Sequence, residues 1–154
     1  MSQQVDPRGQ RFAASVTSVV LAVALVTAPR PVGIVLLVLQ AGIFATAVVR
    51  GVHRTPVAAF YRRVVLPRIG RPLHLEDARP PRFAQGVGLV FVGAALVAFA
   101  FGGTLLGLVL TGFALVAALL NATIGLCLGC EVYLLARRAL TTNKIPATQA
   151  RSTT

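Results

Sequence analysis

The sequence predicts an all-α membrane protein: four transmembrane helices, arranged as two parallel-repeat hairpins, with a short cytoplasmic amphipathic helix between them. Three observations predict it. Hydrophobic residues make up 56% of the 154 residues and charged ones only 12%, where a soluble domain carries about 25% charged. The apolar residues gather in four long runs. The basic residues fall almost wholly on one side of those runs. One domain, 1–141, is expected, followed by a disordered polar tail, 142–154.

The runs are 12–28, 31–49, 83–101 and 104–136, the last interrupted only by Glu131. A spanning helix needs about 17 to 25 residues. Backbone polar groups cannot stay unpaired in hydrocarbon, so each run is expected to be helical. Val26-Thr27-Ala28 loosely fits a signal-peptide cleavage site, but the repeat described below makes the first run the twin of an internal span, and it is expected to stay. The fourth run is too long for one crossing. Either one helix continues beyond the bilayer, or the chain breaks between Asn121 and Gly125 and a second helical piece starts near Cys127.

Charge sets the orientation. Fifteen Lys and Arg against four acids give a net charge of +11. Arg50 to Arg82 holds eight arginines, the head holds Arg8 and Arg11, and the tail holds Arg137, Arg138, Lys144 and Arg151. With the N-terminus inside, only Arg30 lies outside, as the positive-inside rule requires. The expected location is therefore the inner (plasma) membrane, multi-pass, with both termini cytoplasmic. Arginines beside apolar runs suit anionic headgroups, with Arg8, Arg11, Arg62, Arg63, Arg79 and Arg82 at the interface. Nucleic acid is not an expected partner, since no basic soluble domain with interleaved aromatics is present.

Asp6, Arg8, Arg11, Phe12, Ala13 and Val16 recur as Asp77, Arg79, Arg82, Phe83, Ala84 and Val87, and Leu37-Val38-Leu39 as Leu108-Val109-Leu110, all at an offset of 71. The charged matches use two of only four acids. We read two parallel repeats, related by an axis along the membrane normal. At each start, Asp is expected to pair with the first Arg while the second reaches lipid phosphate. Between the hairpins, Thr55-Pro56 reads as an N-cap with Pro in the first turn. Val57, Phe60, Tyr61, Val64 and Val65 then follow a helical stripe, with Arg62 and Arg63 opposite, and Pro67 ends the run. The stretch from Pro67 to Pro81 is expected to be irregular.

The two cysteines, Cys127 and Cys130, have no counterpart in the first repeat, where Pro56 and Ala59 stand. Together with Glu131 they share a face in a continuous helix, and four readings stay open. They form a redox-active or sulfur-accepting dithiol, the usual use of Cys-x-x-Cys. They are metal ligands with His53 and His74. They are small buried packing residues. Or Glu131 is the proton or substrate group of a transporter component. Against the first, a continuous helix offers no free N-terminus, and the charge of Glu131 holds Cys127 as the weakly nucleophilic thiol. The sequence asks for no cofactor: it has no nucleotide loop, triad or paired carboxylates, and both histidines lie outside the spans.

Asp6-Pro-Arg-Gly-Gln-Arg-Phe12, Pro67-Arg68, the segment from Asp77 to Val87 and Gly125-Leu-Cys-Leu-Gly-Cys-Glu-Val-Tyr133 together resemble domain-of-unknown-function family 4395, small membrane proteins of actinobacteria and other bacteria. The resemblance covers nearly the whole chain. Members often sit beside thioredoxin-like and sulfurtransferase genes. The resemblance thus implies, by association, thiol or sulfur chemistry through Cys127, Cys130 and Glu131, and a thioredoxin-like or sulfurtransferase partner. The alternative is a non-enzymatic scaffold or assembly factor.

Overall fold

Apolar runs of this length can hydrogen-bond only within themselves in lipid, and they do so as four long helices in the computed structural model, which describes residues 4–70, 72 and 75–142. They are α1 (Pro7–Thr27), α2 (Pro31–Arg50), α5 (Arg79–Ala100) and α6 (Thr104–Ile124), each long and apolar enough to cross a membrane. Short helices α3 (Pro56–Phe60) and α4 (Leu66–Ile69) lie between the hairpins, and α7 (Leu128–Thr142) follows α6. α1 packs on α2 and α6, and α5 packs on α2, α6 and α7, so the four spans close into a ring.

Small side chains let the backbones approach. Ala14, Ala24, Ala47, Ala95 and Ala114 are buried with Leu21, Leu37, Phe44 and Val92, as expected where helices associate in lipid. Three pairs of residues 71 apart, Leu21 and Val92, Ala24 and Ala95, and Gln40 and Thr111, are all fully or almost fully buried. Gln40 Nε2 donates to Thr17 Oγ1 at 3.3 Å, while its Oε1 has no partner among the described residues. Val19, Val26, Val38, Val90, Val97 and Phe113 face outward. An apolar exterior this extensive suits hydrocarbon, not water.

The end carrying the chain's head is tied together by polar groups. Strand β1 (Gln4–Val5) pairs antiparallel with β2 (Glu76–Asp77). Asp6 Oδ1 accepts from Arg8 N at 2.9 Å and Asp77 Oδ1 from Arg79 N at 3.0 Å, so the same aspartate opens both hairpins. Tyr61, buried, donates its hydroxyl to Asp6 Oδ2 at 2.9 Å. Burial first, and then Asp6, hold the Tyr61 phenol above its ordinary range, with Arg8 opposing.

Two local expectations change. Pro67 does not end the helical stretch. A π turn at Tyr61–Val65 carries the chain into α4, where proline sits in the first turn and its missing N–H costs nothing. The stretch from Pro67 to Pro81 is correspondingly less irregular than expected, since it holds α4, β2 and the start of α5. Arg11 and Arg82, expected at lipid phosphate, instead donate to carbonyls at the ends of neighbouring helices. Arg82 Nε reaches Val48 O at 2.6 Å and its Nη2 reaches Val49 O at 3.2 Å, at the C-terminus of α2. Those last carbonyls lack intrahelical donors and carry the negative end of the dipole, so a cation there is favourable. The tail from 143 lies outside the described residues.

Candidate functional site at the break between α6 and α7

Of the two readings of the fourth run, the break is the one observed. α6 stops at Ile124 because Gly125 takes a left-handed conformation (φ 74°, ψ 11°), which glycine adopts without a Cβ penalty. The N–H groups of Gly125 and Leu126 both turn back to Leu120 O, that of Leu126 at 3.3 Å. Arg11, from α1, closes the end: its Nη2 donates to Thr123 O at 2.6 Å and to Ala122 O at 3.4 Å.

A new helix begins at once. Cys127 O accepts from Glu131 N at 3.0 Å, which makes Cys127 the N-cap of α7 and Cys130 its third residue. The two are joined by a disulfide, with Cα atoms 5.1 Å apart, inside the usual range of about 4.4–6.8 Å. Glu131 is exposed in the first turn, where a negative charge is stabilised by the helix dipole. The sequence objection that no helix N-terminus lies near the thiols is removed by the break.

Packing fixes α7 against α5. A Cβ on Gly129 would lie 2.6 Å from Ala84 Cα, and Phe83 and Tyr133 meet ring to ring at 5.7 Å. Two cavities adjoin the cysteines. One, of 120 Å³, is lined by both cysteines with Gln10, Arg11, Glu76, Gln85 and Asn121. The other, of 310 Å³, is mostly apolar and is walled by Phe44, Phe91, Phe113 and Val132, with Cys127, Gln85 and Asn121 again in its lining.

Of the residues the sequence singled out, Cys127, Cys130 and Arg11 come together here. Arg8 lies elsewhere, paired with Asp6 at 3.5 Å and donating to Gly70 O at 3.2 Å. Arg62 and Arg63 are exposed on the π turn, and Arg79 is exposed at the start of α5. His53 lines a separate 260 Å³ cavity with Asp6 and Tyr61, and His74 lies outside the described residues. Among the described residues, no three His, Cys, Asp or Glu side chains gather as a metal site. Sequence reasoning missed Gln85 and Asn121, which carried no signal beyond being polar within apolar runs. It placed Arg11 at lipid, although the repeated Asp-x-Arg-x-x-Arg start marked it as special.

An N-capping Cys-x-x-Cys can open by attack of an external thiol and close by attack of its own second thiol. No curated protein and no solved structure matches the chain. Residues 5–138 match the family described as Domain of unknown function (DUF4395), and the chain belongs to that family.

Proposed function

We propose that this membrane protein carries out thiol–disulfide or sulfur-transfer chemistry through Cys127 and Cys130, with Cys127 attacking and Cys130 resolving. The observation that carries the reading is the break at Gly125, which sets both cysteines at the N-terminus of α7 within bonding distance. A helix N-terminus stabilises a thiolate, the nucleophilic form. Arg11, in the same 120 Å³ cavity, adds a positive charge that counters Glu131. The opening of that cavity, just beyond the span, suits a thioredoxin-like or sulfurtransferase partner approaching from water. The basic loop and both termini face the cytoplasm, where Arg8, Arg62, Arg63 and Arg79 lie among anionic headgroups.

The test uses the full chain in lipid nanodiscs, equilibrated with glutathione buffers of graded potential. A reversible two-electron transition is expected, lost in Cys127→Ser and in Cys130→Ser. Growth on different sulfur sources is followed in parallel. Wild-type growth and stability in both serine variants would make the cysteines packing residues and the protein a scaffold.

A further inference from the structure

We propose that the 310 Å³ cavity binds the ring of a lipid-soluble quinone, the two-electron acceptor that re-forms the Cys127–Cys130 disulfide. The inference rests on the thiol–disulfide reading above and names the oxidant of that site.

Three observations converge on it. First, the disulfide stands between two different spaces. Cys130 lines only the smaller, polar-walled cavity of 120 Å³, while Cys127 lines both that one and the larger. A water-soluble thiol and a membrane-soluble oxidant therefore have separate approaches to one sulfur pair. Second, the larger cavity lies between the four spans and α7, and Phe113 on its rim is exposed on the outer face of the span α6. Its 310 Å³ lies at the lower bound of ligand pockets, about 300–1,000 Å³. That suits a ring head whose isoprenoid tail stays in the bilayer. Phe91 and Phe113, a tilted pair 6.4 Å apart between centroids, give the cavity an aromatic wall for such a ring.

Third, the cavity is not simply greasy. The Gln85 and Asn121 side-chain amides line it beside Cys127, and neither makes a side-chain hydrogen bond with another described residue. Both residues are half-buried, so their amides are open to a partner that enters the cavity. A lipid acyl chain leaves both amides unpaired, whereas the carbonyl oxygens of a quinone accept from them. The same donors stabilise the oxygens as they gain electrons.

The step balances. The Cys127 and Cys130 S–H bonds break and the S–S bond forms, releasing two electrons and two protons. The quinone takes up both electrons and both protons at its two oxygens and leaves as the hydroquinone. A dithiol substrate reaching the polar cavity then attacks the disulfide through one thiol and closes with its other, leaving as its own disulfide with Cys127 and Cys130 again as thiols.

The test is anaerobic, with the full chain reduced in quinone-free nanodiscs of phosphatidylcholine and phosphatidylglycerol. Decylubiquinone, whose fully substituted ring resists thiol addition, is added, and quinone absorbance and free thiols are followed together. The expected result is one quinone reduced for each pair of thiols lost. Ala117→Phe fills the cavity from α6, and Val132→Phe fills it from α7 without touching a span; both residues line the larger cavity alone. Each is expected to slow oxidation by quinone about tenfold, as loss of about 1.4 kcal/mol of binding would. Oxidation by glutathione disulfide is expected to be unchanged in both variants, which also reports that they have folded. Oxidation by glutathione disulfide but not by quinone would overturn this inference and leave the thiol reading standing. Reaction with neither oxidant would overturn both. Quinone reduction at wild-type rate in both variants would place the reaction outside the cavity and overturn the inference.

Discussion

The junctions from α2 to α3 and from α6 to α7 share three parts, though a 3-10 turn at Val52–Arg54 intervenes in the first. Each spanning helix stops at a positive-φ glycine, Gly51 or Gly125. In each, an arginine from the first helix of the other hairpin caps the last carbonyls, Arg82 at α2 and Arg11 at α6. In each, an N-cap then opens the following helix. At α3 the cap is Thr55, whose Oγ1 accepts from Ala58 N at 3.2 Å. At α7 it is Cys127, whose sulfur is joined to Cys130 instead. The first junction caps its helix with a hydroxyl and the second with a sulfur, although at the offset of 71 Cys127 answers to Pro56 and not to Thr55. One way of ending a spanning helix and starting the next thus accommodates either a hydroxyl cap or a disulfide-bonded cysteine.

The largest expected effect lies where the second junction leans on α5. Gly129→Ala places a methyl 2.6 Å from Ala84 Cα, and overpacking of this kind costs about 1–3 kcal/mol. Gly42, in the first hairpin, has open space around an added Cβ. Gly42→Ala is therefore expected to be neutral or to stabilise by up to about 1 kcal/mol. Thermal unfolding in detergent checks both, and equal effects would deny that α7 packs as described.

The caps come next. Thr55→Ala is expected to cost about 1 kcal/mol through the lost bond to Ala58 N. Cys127→Ser offers α7 a better cap than cysteine, so it is expected to keep the helix while abolishing the disulfide. Helix content and stability, measured together, separate loss of structure from loss of chemistry.

The two capping arginines sharpen the contrast further. Arg11→Gln and Arg82→Gln are each expected to cost about 0.3–1 kcal/mol, the usual worth of a charge at a helix end. Only Arg11 shares a cavity with the cysteines. Arg11→Gln alone is therefore expected to slow alkylation of the reduced Cys127 at neutral pH. Equal slowing by both variants would point to a long-range field rather than a local one.

Tyr61 adds an effect that depends on pH. Its phenol titrates above its ordinary value, so in the folded protein it holds its proton to higher pH than in the unfolded chain. Its contribution is whole below the ordinary value of about 10 and falls away as pH rises through the folded value. Tyr61→Phe is expected to lose about 1 kcal/mol through the Asp6 bond, and to flatten the decline of stability above pH 10 in a denaturation series.

The spans were legible because lipid demands long uncharged helices: 31–49 falls within one observed helix, and 12–28 and 83–101 each overrun theirs by a single residue. The pairing of Asp6 with Arg8 was legible from the repeated start. The end of the fourth span was legible only as an alternative. Gly125 lies inside an uncharged run, and glycine within a membrane helix is common, so composition alone did not mark the left-handed turn. The roles of Arg11 and Arg82 were hidden because a cation at a membrane boundary serves equally at a phosphate or at a helix end. Only the fold shows that an α2 or α6 terminus lies within reach. Gln85 and Asn121 needed the cavities to give them a place.

Activation of Cys127 by the helix N-terminus and Arg11, as proposed, would set it apart from any packing cysteine. The direct measurement is the pH dependence of iodoacetamide alkylation in nanodiscs, with Cys130→Ser reporting Cys127 and Cys127→Ser reporting Cys130. The account expects Cys127 to reach its half-maximal rate at least one pH unit below the value of about 8.5 ordinary for cysteine, and Cys130 to react later. A Cys127 midpoint at or above that of an ordinary cysteine would contradict it.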